Sequence, residues 1–339
     1  FCFSDPDKNK ALLLNDVCLG IGFNPSTFLV YPNSLMGVHA YLKQALSDAA
    51  YFAQAKTRWL RDMRGQSRPE YKANTEALAD YALGKKPVVF LCRNQHDIRR
   101  ALELAGDFKL DFVICDLGNE ASRVIPELKK ASARVLCTAA FKAPATSIFT
   151  QKGKEERERA EKEVYPQNPA KLAEAGISFA FSSLGTDDPK AFTEGIQKAI
   201  DAGLAKEKAL EALTKNPAVF FGVEKALGTI EPGKIANLAL FEGELFSREA
   251  KARYAFADGK KFELKEVKAA EGEKPIVNVT GKWEMSLEGV GIKLTVDFLQ
   301  EEASLSGKMI SPYGAFDFTG GVVAGNELSF EMTITVGGQ

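Results

Sequence analysis

Histidine is rare in this chain, which has only His39 and His96 among its 339 residues. Zinc sites are built from His, Cys and carboxylate ligands at short characteristic spacings. Neither histidine has a second ligand at such a spacing, and neither completes a Ser-His-Asp set with residues near it in the sequence. The sequence therefore predicts no resident metal. His39 lies in an apolar-periodic helical segment, which favours a packing role over a ligand role.

Long apolar runs and an excess of one charge are also absent. No run approaches the roughly 18 residues that a membrane span needs, and 44 basic against 45 acidic residues give a net charge of −1. This balance indicates neither a nucleic acid nor an anionic membrane as a partner. The first residues lack the basic start and apolar core of a signal peptide. We expect a soluble protein, and the sequence leaves open whether its compartment is the periplasm or the cytoplasm.

The spacing of the cysteines in the sequence matches no metal-binding or redox motif. The five cysteines are Cys2, Cys18, Cys92, Cys115 and Cys137, and no two of them form a CxxC pair. An odd count without a framework favours buried, reduced thiols that act as small apolar groups. A nucleophilic role for Cys92 is the alternative, since Arg93 and His96 follow it closely.

Strands and helices alternate through the middle of the chain. Residues 33–84 have a helical apolar period, and four apolar strands follow at 87–92, 111–117, 134–139 and 177–183, separated by helical segments. Such alternation is typical of a parallel α/β sheet. The spacing fits the second half of a (β/α)₈ barrel, whose functional loops gather at the carboxyl ends of the strands.

The C-terminal part of the sequence has a different pattern of apolar and polar residues. Residues 253–264 predict a hairpin that turns at Asp258-Gly259, and 265–275 form a charged linker. From 277 to 339 the apolar period is two, which predicts a small antiparallel β module. Trp283 alternates with apolar residues there, and we expect its ring in the module core rather than stacked on a ligand.

A specific resemblance comes from residues 209–240, ALEALTKNPAVFFGVEKALGTIEPGKIANLAL. This stretch resembles the C-terminal signature of the amidohydrolase superfamily, close to its imidazolonepropionase-like branch. The resemblance implies an α/β fold with a partial TIM-like barrel at 1–235, remnant β-sandwich strands at 236–268 and the β module at 277–339. It also implies a fragment of a longer chain, because the family's first His-x-His motif would lie upstream of Phe1.

The resemblance extends to the positions where the family holds its metal. Three segments resemble the fifth, sixth and eighth barrel strands: PVVFLCRNQHDIRRAL (87–102), DFVICDLGNEA (111–121) and ISFAFSSLGTDDPKAF (177–192). The family has His, His and Asp where this chain has Leu91, Leu117 and Leu184. Family members use zinc or another divalent ion to activate water for hydrolysis of non-peptide C–N bonds. Leucine offers no lone pair, so the resemblance implies a degenerate metal site and a pseudoenzyme.

Three functions follow from this reading. The first is a catalytically inactive domain that serves as a scaffold, partner or regulatory half, with a second amidohydrolase domain or subunit as its partner. The second is an active hydrolase whose catalytic residues lie in sequence outside this chain. The third is a small-molecule binding protein that uses the barrel mouth, where we place Arg93, His96, Asp116 and Asp187 as pocket residues. Arg93 and Asp116 there could pair with each other or hold a ligand.

Overall fold

The chain divides into two compact units, Phe1–Glu263 and Leu264–Gln339, each of which is described by itself. The structure is a computed structural model, and it describes residues 12–26, 30–142, 151–186, 189–247, 250–264, 277–287, 292–311, 314–324 and 327–329. The predicted linker at 265–275 and the candidate pocket residue Asp187 lie outside these residues. Among the described residues, no helix has the length and apolar character required to cross a membrane.

The first unit is built on a five-stranded parallel sheet. Its strands are β1 (Leu19–Gly22), β2 (Val88–Cys92), β3 (Phe112–Asp116), β4 (Arg134–Thr138) and β5 (Phe179–Ser182). They lie in the order in which they occur in the sequence, and each is parallel to the next. The predicted fold class, a partial β/α barrel followed by a β module, agrees with this topology. The strands are nearly all apolar because both faces of the sheet are covered.

Nine α-helices are described in this unit: α1 (Leu35–Arg61), α2 (Ala73–Ala82), α3 (Gln95–Phe108), α4 (Ile125–Lys130), α5 (Gln151–Arg159), α6 (Asn168–Glu174), α7 (Pro189–Asp201), α8 (Lys206–Leu213) and α9 (Lys215–Phe220). Asn94 caps the amino end of helix α3, because its Oδ1 accepts the backbone N–H groups of His96 and Asp97. The predicted helical stretch 33–84 is broken at 62–72, where Gly65 has a φ of 69° and Pro69 has no N–H to donate.

The two faces of the parallel sheet have different neighbours. On the outer face, side chains such as Phe90, Ile114 and Val135 pack with the helices in the main apolar core. On the inner face, a smaller apolar cluster consists of Val89, Val113, Cys115, Leu136, Ala180 and Phe220. The guanidinium of Arg134 closes the amino end of this face, because it donates to the carbonyl oxygens of Phe112 and Phe220 and pairs with Asp111.

An antiparallel three-stranded sheet ends the first unit. Its strands are β6 (Leu238–Glu242), β7 (Lys251–Ala257) and β8 (Lys260–Glu263), in the order β6-β7-β8. The hairpin between β7 and β8 turns at Asp258-Gly259, as the sequence predicts. Both residues have positive φ, 51° and 77°, which is the requirement of a tight two-residue hairpin turn.

The second unit is an antiparallel meander of β9 (Gly281–Leu287), β10 (Ile292–Glu301), β11 (Ser304–Ser311), β12 (Gly314–Ala324) and β13 (Glu327–Ser329). Its apolar cluster includes Val296, Phe298 and Leu305. The predicted burial of Trp283 is wrong, since the residue is 50% exposed. Trp283 lies on β9, which is the edge strand of the described sheet, and its Nε1 donates to the carbonyl oxygen of Val279.

Candidate functional site

Two of the three leucines at expected ligand positions lie together on the inner face of the sheet. Leu91 is at the end of β2 and Leu117 directly follows β3, and both pack against the inner apolar cluster. The Leu117 backbone N–H donates to the Cys92 carbonyl oxygen at 2.8 Å, which fixes the two strand ends side by side. The carboxyl end of this face is therefore lined with hydrocarbon at these two positions.

The third leucine has a different environment. Leu184 lies two residues beyond β5, is 49% exposed and is not among the residues that pack on the inner cluster. Its backbone is held by two hydroxyl groups of the inner face: Thr138 Oγ1 donates to the Leu184 carbonyl oxygen at 2.5 Å, and Ser182 Oγ accepts its N–H at 3.2 Å. These hydroxyl groups therefore shape the turn after β5.

The neighbouring strand β1 presents no side chain to the same face. Gly20 pairs with Val89 and Gly22 pairs with Leu91, so both glycines lie on the inner side. A Cβ added at either glycine would meet no atom within 4 Å. The inner face beside Leu91 is open there, and β1 contributes no polar side chain to it.

These residues do not fit the metal ion that the family resemblance implies. Near its carboxyl end the inner face has leucines, glycines, one thiol and two hydroxyl groups. The hydroxyl groups, those of Thr138 and Ser182, are already hydrogen-bonded to the Leu184 backbone. Burial raises the pKa of that thiol, Cys115, to about 12, so it stays protonated at neutral pH. Within the described ranges, no three His, Cys, Asp or Glu side chains are grouped so that they could hold a metal ion.

Asp116, expected at the barrel mouth, faces the helical layer instead. Its side chain is fully buried, and its carboxylate accepts the N–H groups of Glu120 and Ala121 and the amide of Asn168 at 3.1, 2.8 and 2.9 Å. Burial raises the pKa of Asp116, and the three donors oppose this rise. Asp116 is thus a buried structural side chain, and among the described residues it pairs with no arginine.

Arg93 and His96 are exposed where β2 leads into α3. The Arg93 N–H donates to Asp97 Oδ2 at 3.1 Å, while no ion pair of its guanidinium is found in the part of the chain that the structure describes. His96 lies in the first turn of α3, consistent with a helix-start role. His39 lies in α1, and its buried Nδ1 has no hydrogen-bond partner among the described residues.

Sequence reasoning missed Asn119. The residue follows β3, is only 3% exposed, and has a left-handed backbone with a φ of 55°. Its Nδ2 donates to the Ala140 carbonyl oxygen at 3.1 Å, whereas its buried Oδ1 has no donor among the described residues. The Gly-Asn pair after a predicted strand was the available signal, because asparagine tolerates this conformation.

The buried cysteines give a direct test of thiol chemistry. Burial raises the pKa of Cys92, Cys115 and Cys137, and all three side chains are inaccessible. We expect a thiol reagent to modify exposed Cys18 in the native chain and to reach these three only after denaturation. Peptide mapping by mass spectrometry measures the sites. Rapid native modification of Cys92 would instead support the nucleophilic alternative.

Comparison with known proteins agrees with this architecture. Residues 158–279 match the amidohydrolase family model. An amidohydrolase from Thermotoga maritima MSB8 has a TM-score of 0.64 at 22% identity, covering 76% of this chain and 65% of that one. A Xaa-Pro dipeptidase with bound methionine has a TM-score of 0.42 at 19% identity, with 59% and 51% covered. No match to a curated protein was found.

The fold and the inner face define a partial β/α barrel with a leucine-lined carboxyl end. A part of the chain, residues 158–279, matches the amidohydrolase family model, and the chain shares its fold with the Thermotoga amidohydrolase. The chain spans 65% of the length of the Thermotoga protein, so the activity of a whole family member is not carried over by this likeness.

Proposed function

We propose that this chain is an amidohydrolase-type domain that does not catalyse hydrolysis, a pseudoenzyme of the imidazolonepropionase-like branch. The observation that supports the proposal is the packing of Leu91 and Leu117 on the inner apolar cluster, because the sequence resemblance expects metal ligands at these two positions. Hydrolysis of an unstrained amide near neutral pH requires an activated water. The described inner face has no carboxylate or imidazole that could bind a metal or accept a proton from water.

A non-catalytic domain of this kind has two compatible roles. It can serve as a scaffold or regulatory half beside a second amidohydrolase domain or subunit, in the bacterial periplasm or cytoplasm. It can also bind a small organic ligand at the barrel mouth. The second role is favoured by one specific observation, the exposed Arg93 guanidinium at the carboxyl end of β2 without an ion-pair partner among the described residues.

We expect the purified chain to show no turnover of cyclic amides or dipeptides above the buffer rate, with or without added zinc. The reason is the lack of lone pairs at Leu91, Leu117 and Leu184. Product formation is followed by liquid chromatography with mass spectrometry, and zinc content after dialysis by elemental analysis. Zinc-dependent turnover that a chelator abolishes would overturn the proposal. Turnover by a longer form of the protein alone would favour the alternative of an active hydrolase completed by other sequence.

A further inference from the structure

A cavity of about 430 Å³ lies between α1 and the segment that connects α1 to α2. This volume is in the range of small-molecule sites, which is about 300–1,000 Å³. The described wall residues all come from α1, from this connection and from the start of α2, within the continuously described range 30–142. No described residue of the parallel sheet is part of the wall, so the cavity is separate from the barrel mouth.

The part of the wall that α1 contributes is largely apolar. Phe52 and Ala55 line the cavity from the helix, and Pro69 lines it from the connection. Phe52 is only 8% exposed, so its ring forms the floor. Burial of apolar ligand surface against such residues supplies much of the affinity in small-molecule sites. The cavity can therefore hold the apolar body of a ligand.

Asp48 and Tyr51 bring a carboxylate and an aromatic ring to this cavity as neighbours. They are three positions apart on α1, and side chains at this spacing have Cβ atoms about 5–6 Å apart. Both line the cavity, and Tyr51 is 74% exposed. The Asp48 Oδ1 accepts the Gln44 amide at 2.7 Å. A carboxylate beside an aromatic face binds organic cations through an ion pair and a cation–π contact.

The cations of the cavity wall are held by other groups. Lys72 Nζ lies 3.5 Å from the Glu70 carboxylate, so these two charges offset each other. The Arg68 guanidinium lies over the ring of Trp59, 5.6 Å from its centroid. Asp48 has no ion-pair partner among the residues that the structure describes. The uncompensated charge at the cavity is therefore negative, and it favours a cation over an anion.

We propose that this cavity binds a small organic ammonium compound with an apolar body, such as an arylalkylamine. Asp48 pairs with the ammonium group, and Tyr51 presents its ring to the same charge. Phe52 and Ala55 contact the apolar body. This site is independent of the barrel mouth, and its ligand does not depend on whether the chain hydrolyses amides.

Isothermal titration of the full chain at low salt with three matched probes tests the proposal. The first probe, 2-phenylethylammonium, has both features. The second, 2-phenylethanol, has a neutral hydroxyl group in place of the ammonium group, and the third, ethylammonium, lacks the ring. We expect the first probe to bind about tenfold more tightly than either of the others. Equal affinities of the first two probes, or no binding of the first at millimolar concentration, would overturn the inference.

Three variants assign the contacts, with circular dichroism as the check that each is folded. Asp48→Asn should lower the affinity for 2-phenylethylammonium to that for 2-phenylethanol. Ala55→Leu fills part of the cavity and should weaken both probes. Asp80→Asn is the matched control, because Asp80 is a carboxylate of α2 that pairs with Lys85 and is not part of the described wall. It should change neither affinity. An ammonium preference that survives Asp48→Asn, or unchanged binding by Ala55→Leu, would contradict the proposed site.

Discussion

Replacement of Gly118 by alanine is expected to destabilise the first unit by about 3 kcal/mol or more. An alanine Cβ would lie 2.0 Å from the Arg93 carbonyl oxygen and 2.6 Å from its carbon. Both atoms belong to the backbone, so no side chain can rotate away. Relief requires the ends of β2 and β3 to separate, which would break the hydrogen bond from the Leu117 N–H to the Cys92 carbonyl oxygen.

The measurement is guanidinium unfolding in a Trp283→Phe background. Trp59 is then the only tryptophan, and because it lies in α1 its fluorescence reports the first unit alone. Gly106→Ala is the matched control, since an added Cβ in α3 meets nothing within 4 Å. This control should stabilise the unit by about 0.8–1 kcal/mol through helix propensity. An unfolding midpoint of Gly118→Ala equal to that of the background protein would show that the two loops separate easily.

Strands and hairpin turns were predictable from the sequence, whereas the burial of a single large side chain was not. The strands were predictable because a sheet that is covered on both faces has strands that are short apolar runs in the sequence. The hairpin was predictable because Asp258-Gly259 is a residue pair that favours a tight two-residue turn. The burial of Trp283 was predicted wrongly because the alternation of apolar and polar residues shows which face of the sheet a side chain lies on. It does not show whether another element covers that face. An edge strand leaves half of a large ring exposed even on the apolar face.

The candidate site was predictable only in part for a related reason. Alternation along β3 puts Cys115 and Leu117 on the inner face and Asp116 on the outer face, so the expectation from alternation that Asp116 lies at the barrel mouth took the wrong face of the strand. Asp116 accepts a hydrogen bond from Asn168, which lies 52 positions later in the sequence. A pattern in the local sequence cannot predict a contact over this separation. Asn119 was missed likewise, because its burial and its hydrogen bond to the Ala140 carbonyl oxygen depend on a loop 21 positions away in the sequence.

The second large effect is expected at Asp116. Asp116→Ala removes the common acceptor of three buried donors, the N–H groups of Glu120 and Ala121 and the Asn168 amide. Loss of a buried hydrogen-bonded acceptor typically costs about 1–3 kcal/mol for each stranded group, so we expect about 3 kcal/mol or more after local relaxation. Unfolding followed by Trp59 fluorescence measures the change. Glu103→Gln, an exposed carboxylate beside Lys43, should leave the midpoint unaltered.

The pH dependence of a gentler variant, Asp116→Asn, tests the charge state of this carboxylate. Burial raises the pKa of Asp116 above its ordinary value of 3.8, so the folded chain keeps this proton to a higher pH than the unfolded chain. Stability that depends on the protonated form is complete below pH 3.8 and is lost as the pH rises through the raised pKa. Asparagine cannot ionise, so its stability deficit relative to the native chain should shrink as the pH rises through that window. Unfolding midpoints of both proteins between pH 3.5 and about 8 measure the difference. A deficit that grows with pH would mean that the three donors outweigh burial and that Asp116 is ionised in the fold.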